Sequence, residues 1–116
     1  MKKLYPLLSV LFLIYWGCDD LFDPSVNLWG VDYSIENTTE LYLLNSGLTG
    51  EIPPEIGNLT NLFSLNLSDN QLSGIIPDEI CNQGDSSPGL SNNQLCPPYP
   101  SCIENYVGEQ DTSGCP

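Results

Sequence analysis

Residues 41–56 read Leu-Tyr-Leu-Leu-Asn-Ser-Gly-Leu-Thr-Gly-Glu-Ile-Pro-Pro-Glu-Ile, and residues 65–80 read Leu-Asn-Leu-Ser-Asp-Asn-Gln-Leu-Ser-Gly-Ile-Ile-Pro-Asp-Glu-Ile. The two stretches align without a gap at a spacing of 24 residues, and leucine, glycine, isoleucine, proline and glutamate recur at matching positions. A shorter copy at 90–95, Leu-Ser-Asn-Asn-Gln-Leu, matches residues 67–72 at a spacing of 23. A fixed period of this length indicates a chain built from stacked repeats.

Each copy predicts one coil of a solenoid. Leu41 and Leu43 alternate as residues of a short strand with one buried face, and the second copy repeats this pattern. A single coil cannot bury its own leucines, so successive coils are expected to stack. Asn70 and Asn93 stand where a side-chain amide can satisfy the backbone groups of the turns. Ser46 takes this place in the first copy, which indicates an end coil.

The repeat resembles the plant-type leucine-rich repeat of receptor kinases and secreted defence proteins. The similarity lies in residues 48–62, Leu-Thr-Gly-Glu-Ile-Pro-Pro-Glu-Ile-Gly-Asn-Leu-Thr-Asn-Leu, which carry the L-x-G-x-I-P segment of that family's convex side. Trp29-Gly30-Val31 is similar to the family's N-terminal cap, in which the indole shields the first coil. The resemblance implies a leucine-rich-repeat solenoid of the α/β class, with short parallel strands and an irregular or 3₁₀ convex side. About two and a half coils would lie between an N-terminal and a C-terminal cap.

The chain begins with a segment typical of protein export. Two lysines precede an apolar run at 4–16, which is too short to cross a bilayer core of about 30 Å. Residues 1–17 are therefore predicted to be an export signal, with a buried apolar helix as the alternative. Cys18 stands where a bacterial lipoprotein is acylated, so the chain resembles an exported bacterial or environmental member. The alternatives are a free thiol at Cys18 or its loss with an ordinary signal.

The remaining boundaries follow from the repeats. Residues 18–27 are predicted to form an acidic tether and residues 28–39 the N-terminal cap. Two repeats occupy 40–80, and a truncated third repeat with a disulfide-rich C-terminal cap occupies 81–116. A contact with a membrane is expected only through the signal or a lipid anchor.

Four cysteines remain once Cys18 is set aside, namely Cys81, Cys96, Cys102 and Cys115. An even number suits two disulfides in an oxidising compartment, and four cysteines allow three connectivities. The pairing of nearest neighbours, Cys81–Cys96 with Cys102–Cys115, is the preferred prediction. Zinc binding by the four thiols is the alternative, but the chain has no C-x₂-C pair. No metal and no cofactor are expected.

The charge of the chain excludes one class of partner and argues against catalysis. It has 15 acidic residues, no histidine and only two basic residues, Lys2 and Lys3. A nucleic-acid surface needs basic side chains to neutralise phosphates, so no nucleic-acid partner is expected. Without histidine, serine and cysteine lack their usual general base, and the paired carboxylates have no evident cleft. The protein is predicted not to be an enzyme.

The strand residues that alternate with the buried leucines are predicted to face solvent on the concave side. They are the candidate binding residues for a protein or peptide, or for a glycan. The alternative is a structural or adhesive cell-surface module without a dedicated ligand. The candidates are Glu40, Tyr42, Leu44 and Asn45 in the first repeat; Ser64, Asn66, Ser68 and Asp69 in the second; and Gly89, Ser91 and Asn92 in the third.

Overall fold

A computed structural model describes residues 23–116 of the chain. The export signal at 1–17 and the acylation site Cys18 lie outside the described residues. The first element is an antiparallel hairpin of β1 (Ser25–Leu28) and β2 (Val31–Ser34). Trp29 and Gly30 form its two-residue turn with φ of 50° and 86°, a conformation that glycine adopts without strain. Residues 25–27, assigned to the tether from sequence, are therefore part of β1.

The repeats build two parallel sheets. Sheet 1 pairs β3 (Glu40–Tyr42) with β5 (Ser64–Asn66) and extends to the third repeat through a bridge from Asn66 to Gly89. Sheet 2 has the order β4 (Thr49–Gly50), β6 (Gln71–Ile75), β7 (Gln94–Cys96). Each strand pairs with its equivalent one repeat later, which confirms the predicted parallel stacking. Sheet 2 was not predicted, because its residues were expected to be irregular.

The side of each repeat opposite sheet 1 carries a short 3₁₀ segment. These segments are Pro54–Asn58, Asp78–Asn82 and Glu104–Tyr106. The first starts with a proline, whose fixed φ suits the first helical position. Residues 23–116 contain no α-helix and hence none that could span a membrane.

The core is a continuous stack of aliphatic side chains between the two sheets and the 3₁₀ segments. Leu43 and Leu48 in the first repeat are only partly buried, since they lie at the end of the stack. Their equivalents in the second repeat, Leu67 and Leu72, are fully buried. The buried aliphatic residues of the repeats are Leu41, Ile52, Ile56, Leu59, Leu62, Leu65, Leu67, Leu72, Ile76, Ile80, Leu90 and Leu95.

Asn70 and Asn93 form the predicted ladder of buried amides. The Asn70 side chain accepts hydrogen bonds from the backbone N–H groups of Ser46 (2.9 Å) and Leu48 (3.0 Å). Asn93 accepts one from the N–H of Leu72 at 3.0 Å. Both amides donate to the carbonyl of Leu67, at 2.9 and 3.0 Å. Each amide thus ties the turn of its own repeat to the repeat before it.

Gln110 continues this ladder beyond the third repeat. Its side chain accepts a hydrogen bond from the N–H of Leu95 (3.0 Å) and donates to the carbonyls of Leu90 (2.7 Å) and Val107 (2.9 Å). Val107 and Gln110 therefore take the places of Leu90 and Asn93 in a further half-turn. This half-turn was not predicted, because Gln110 follows Asn93 by 17 residues rather than by a full period.

The predicted disulfide pairing is wrong. The bonds are Cys81–Cys102 and Cys96–Cys115, with sequence separations of 21 and 19 residues. These separations are close to one repeat, so each bond joins roughly equivalent positions on neighbouring turns. The nearest-neighbour pairs, 15 and 13 residues apart, lie about half a repeat apart and therefore on different sides of the stack. A disulfide needs Cα atoms roughly 4.4–6.8 Å apart, and both observed pairs meet this at 5.9 and 5.7 Å.

Candidate protein-binding face

The exposed face of sheet 1 brings the predicted binding residues of the first two repeats together. We call this face the concave strip. Glu40 lies opposite Ser64 and Tyr42 lies opposite Asn66, so equivalent side chains form neighbouring rows. The strip continues to Gly89 through the bridge from Asn66. Period-2 alternation produces this arrangement, because the leucines between these residues point into the core.

The apolar part of the strip belongs to the first repeat. Tyr42 is 56% exposed and Leu44 is 48% exposed. Phe63 immediately precedes β5 and is 64% exposed, and its N–H donates to the carbonyl of Thr39 at 2.8 Å. Phe63 was not among the predicted residues, although an aromatic residue outside the leucine pattern is itself a signal for an exposed position.

The polar part of the strip belongs to the second and third repeats and is hydrogen-bonded to itself. The side-chain oxygen of Asn66 accepts from the N–H of Ser68 at 3.0 Å, and the Ser91 hydroxyl donates to the Ser68 hydroxyl at 3.3 Å. Gly89 leaves room for the Asn66 amide, since a Cβ there would lie 2.7 Å from its oxygen. The strip thus changes from exposed Tyr42 and Leu44 in the first repeat to hydrogen-bonded polar side chains in the second and third.

Asn45, Asp69 and Asn92 occupy one turn position in three successive repeats. Their φ angles are 52°, 61° and 59°, in the left-handed region that asparagine and aspartate tolerate better than most other residues. The Asn92 amide also donates to the Asp69 carboxylate at 2.7 Å. All three side chains are exposed beside the strip. The left-handed turn by itself explains why these positions hold asparagine or aspartate.

The face carries negative charge that no described side chain neutralises. All 15 acidic residues except Asp19 and Asp20 lie within 23–116, where no lysine, arginine or histidine occurs.

The hydroxyl of Ser113, followed by its backbone N–H, lowers the pKa of Asp111 below the usual value of 3.8 by hydrogen bonding to the carboxylate.

Two surface depressions lie away from the apolar part of the strip. One, of about 360 Å³, is lined by Asn92, Glu109 and Asp111 among others, and one of about 390 Å³ lies beside Cys96 and Ser113. Within the described part of the chain, no three cysteine or acidic side chains are placed to hold a metal ion together.

These features define a repeat protein built from stacked parallel strands, a class that presents a concave surface for binding. The profile of the Leucine Rich Repeat family matches residues 37–59 and 61–83. The chain accordingly contains leucine-rich repeats over these residues, and they are of the plant type, as the resemblance implied. Repeats of this family form protein-interaction modules.

Curated relatives are similar to this chain over a small part of their own length. The leucine-rich repeat receptor-like serine/threonine-protein kinase RGI4 of Arabidopsis thaliana is 54% identical over 57 residues, which cover 49% of this chain and 5% of the kinase. The LRR receptor-like serine/threonine-protein kinase GSO2 of the same plant is 45% identical over 87 residues, or 72% of this chain and 7% of the kinase. The leucine-rich repeat serine/threonine-protein kinase 1 of Mus musculus is 38% identical over 65 residues, or 56% and 3%. No solved structure matches the chain.

Proposed function

We propose that the protein is a non-catalytic, extracytoplasmic binding module that recognises a protein or peptide through the concave strip. The proposal rests on the exposed apolar side chains of Tyr42 and Leu44 on the strip, with exposed Phe63 directly before β5. Aromatic and aliphatic groups of this kind are the anchors that contribute most of the energy of protein interfaces. Their position on a sheet held by a rigid stack favours recognition, because little side-chain and backbone freedom is lost on binding.

The size of the strip suits a peptide or a single loop of a protein. Sheet 1 has two strands and one further bridge, so its exposed face is narrow. A standard protein interface buries about 800 Å² on each partner, which is more than such a face offers. We infer that an apolar residue of the ligand contacts Tyr42 and Leu44, and that polar groups of the ligand contact Asn66 and Ser68.

The alternative is a structural or adhesive module without a dedicated ligand. The self-hydrogen-bonded part of the strip favours this second candidate, since Ser68, Ser91, Asp69 and Asn92 already bond to one another. A glycan ligand would instead have to exchange these hydrogen bonds for its own. The apolar part of the strip supports a peptide over both.

We also propose how the rest of the chain serves this role. The β1–β2 hairpin caps one end of the repeat stack, and residues 97–116 with their two disulfides cap the other. Disulfides suit an oxidising compartment, which supports export. Export would use residues 1–17, and Cys18 would carry a lipid anchor. Labelling with a fatty-acid probe in the native host, with Cys18→Ser as the control, tests the anchor, and an unlabelled wild-type protein would refute it.

A pair of exposed tyrosines offers a matched test of binding. Tyr42 lies in the strip, and Tyr106, which is 51% exposed, lies in the 3₁₀ segment Glu104–Tyr106. Tagged wild-type, Tyr42→Ala and Tyr106→Ala proteins are incubated with the native extracellular medium, and captured proteins are quantified by mass spectrometry. We expect Tyr42→Ala to lower capture of one partner about tenfold or more, which corresponds to a hot-spot loss. Tyr106→Ala should capture it like wild type.

Three results would contradict the proposal. Equal capture by wild type and Tyr42→Ala would place binding elsewhere, and an equal loss in both variants would show no preference for the strip. Absence of any specific partner, with all proteins folded by circular dichroism, would favour the structural or adhesive module.

A further inference from the structure

Within residues 23–116, the β3 strand of sheet 1 has one paired edge and one open edge. β3 pairs with β5, and no other described strand or 3₁₀ segment has a Cα atom within 8 Å of it. The β1–β2 hairpin does not cover β3, because β1 lies against the 3₁₀ segment Pro54–Asn58 instead. Among residues 23–116, no second strand therefore completes this side of the sheet.

The backbone groups at the open edge belong to the residues whose side chains are exposed. The N–H groups of Leu43 and Asn45 donate across to Asn66 and Ser68 at 2.9 and 3.1 Å, so odd-numbered residues face β5. Backbone groups alternate along a strand, and those of Glu40, Tyr42 and Leu44 therefore point to the open edge, where the Leu44 carbonyl already accepts from the Ser46 hydroxyl at 3.2 Å. A strand added there would form backbone hydrogen bonds and would bring its side chains beside Tyr42 and Leu44.

The opposite edge of the same sheet is covered by the chain itself. The N–H of Asn92 donates to the carbonyl of Glu109 at 2.7 Å, and the N–H of Asp111 donates to the carbonyl of Asn93 at 2.9 Å. The Cys96–Cys115 disulfide holds the segment that follows. The open edge at β3 is thus not a general property of the sheet.

β3 is only three residues long and carries Glu40, but it has no lysine, proline or bulge at its open edge. Edge strands commonly carry lysine, proline or a bulge, each of which hinders the addition of another strand. β3 reads Glu-Leu-Tyr, pairs in regular register and is followed by Leu43 and Leu44. An edge of this kind can bind an extended peptide by strand addition, in which backbone bonds supply affinity and alternate side chains supply specificity.

Charge determines which occupant this edge accepts. Glu40 on β3 is exposed, all 15 acidic residues except Asp19 and Asp20 lie within 23–116, and those residues provide no cation. A second copy of the chain would bring the same carboxylates to the same edge, and like charges across paired strands are destabilising. A segment with lysine or arginine is attracted instead.

We propose that the open edge of β3 is a docking site for an extended cationic peptide, which adds a strand to sheet 1 beside Tyr42 and Leu44. The ligand has apolar residues at the positions that lie beside these two side chains, and lysine or arginine at alternate or flanking positions. This site uses the backbone of β3, so it is distinct from recognition by side chains of the concave strip.

The test uses a synthetic probe and the full chain with its disulfides intact. The probe is an acetylated and amidated peptide of about eight residues in which valine and lysine alternate, a typical strand length. Two isomers carry N-methyl groups at every second residue, either on all valines or on all lysines, and each isomer blocks one edge of the peptide. A fourth peptide replaces lysine with glutamate. Binding is measured by isothermal titration calorimetry.

We expect the parent peptide to bind and one N-methylated isomer to bind about tenfold more weakly or worse, because its edge towards β3 loses several backbone hydrogen bonds. The other isomer should bind like the parent, and the glutamate peptide should not bind. Amide hydrogen exchange of Tyr42 and Leu44, measured by NMR, should slow when the parent binds. Equal binding of both isomers, or no binding of the parent, would overturn the proposal.

A pair of protein variants tests the same edge by changing β3 instead of the peptide. Tyr42→Ala removes the side chain and keeps the N–H, whereas Tyr42→Pro also removes the N–H. Proline is tolerated at an edge strand whose N–H is unpaired, so we expect both variants to fold. Tyr42→Pro should then bind the parent peptide much more weakly than Tyr42→Ala, and equal binding would refute the edge.

Further outcomes also bear on the proposal. A wild-type dimer in sedimentation velocity that Tyr42→Pro abolishes would replace the peptide with a second copy and overturn the proposal. If Tyr42→Pro does not fold, the difference in affinity between the two N-methylated isomers for the wild-type protein still tests whether the peptide pairs with β3. If no peptide binds but partner capture depends on Tyr42, docking at the β3 edge is refuted. Recognition through the concave strip is then still supported.

Discussion

Replacement of Asn93 by alanine tests the amide ladder that holds the repeats together. Asn93 is 3% exposed, and its side chain accepts from the N–H of Leu72 and donates to the carbonyls of Leu67, Leu90 and Ser91. Alanine removes all four hydrogen bonds and leaves the backbone groups in place. The expected cost depends on which of these groups keep another partner.

Two of the carbonyls are shared with neighbouring amides. Leu67 also accepts from Asn70 at 2.9 Å, and Leu90 also accepts from Gln110 at 2.7 Å. Only the buried N–H of Leu72 loses its side-chain acceptor outright, which lowers the free energy of unfolding by roughly 2 kcal/mol. The carbonyls that lose one of their donors lower it by about 1 kcal/mol more in total. Asn93→Ala should therefore lower the free energy of unfolding by about 3 kcal/mol, a large share of the ~5–15 kcal/mol typical of a domain.

The sharing of carbonyls makes a second, stricter prediction. In the double variant Asn70→Ala with Asn93→Ala, the carbonyl of Leu67 loses both donors. The loss in the double variant should exceed the sum of the single losses by about 1–2 kcal/mol. Asn66→Ala is the matched control, because that asparagine is half-buried and makes one local bond to Ser68, so about 0.5–1 kcal/mol is expected.

Unfolding is followed by circular dichroism in urea at fixed ionic strength, since guanidinium would also screen the charges of this acidic chain. The thermal midpoint of Asn93→Ala should fall by about 12–24 °C. A loss no larger than that of Asn66→Ala would refute the structural role of the ladder. Additive losses in the double variant would refute the sharing of the Leu67 carbonyl.

Three further outcomes follow from the cysteines and the charges. Reduction of both disulfides should lower the melting midpoint by at least several degrees, since loops of about 20 residues are worth about 3 kcal/mol each; an unchanged melt after verified reduction would refute their role. Because its pKa is lowered, Asp111 stabilises the fold above pH 3.8 and loses this effect as pH falls through its folded pKa; Ser113→Ala should raise that pKa in an NMR titration, and no change would contradict the hydrogen bonds. Added salt up to about 0.15 M should raise the melting midpoint, as it screens repulsion among carboxylates that have no basic partners in 23–116, and a flat or falling curve would contradict this.

The leucine pattern and the amides were readable from the sequence because they repeat. Leu65, Leu67 and Leu72 recur at fixed offsets from Asn70, and one period is enough to assign strand, turn and core. The same regularity identified the exposed positions of sheet 1. These features depend on local spacing, which a sequence displays directly.

The disulfide pairing, sheet 2 and Gln110 depend on contacts between turns. A cysteine about one period away lies closer in space than one about half a period away, so the choice of nearest neighbours in sequence failed. The strands of sheet 2 are two to five residues long, too short to show alternation, and the left-handed glycines Gly50 and Gly74 hide them further. Gln110 breaks the period, so no alignment of repeats could include it.

Site-specific photocrosslinking tests whether the protein recognises its partner through the concave strip. A photoreactive phenylalanine analogue replaces Tyr42 in one protein and Tyr106 in another, two tyrosines of similar exposure at 56% and 51%. After incubation with the native extracellular medium and illumination, crosslinked products are identified by mass spectrometry. We expect one dominant product from position 42 that position 106 does not give. The same products from both positions, or a product from position 106 alone, would contradict it.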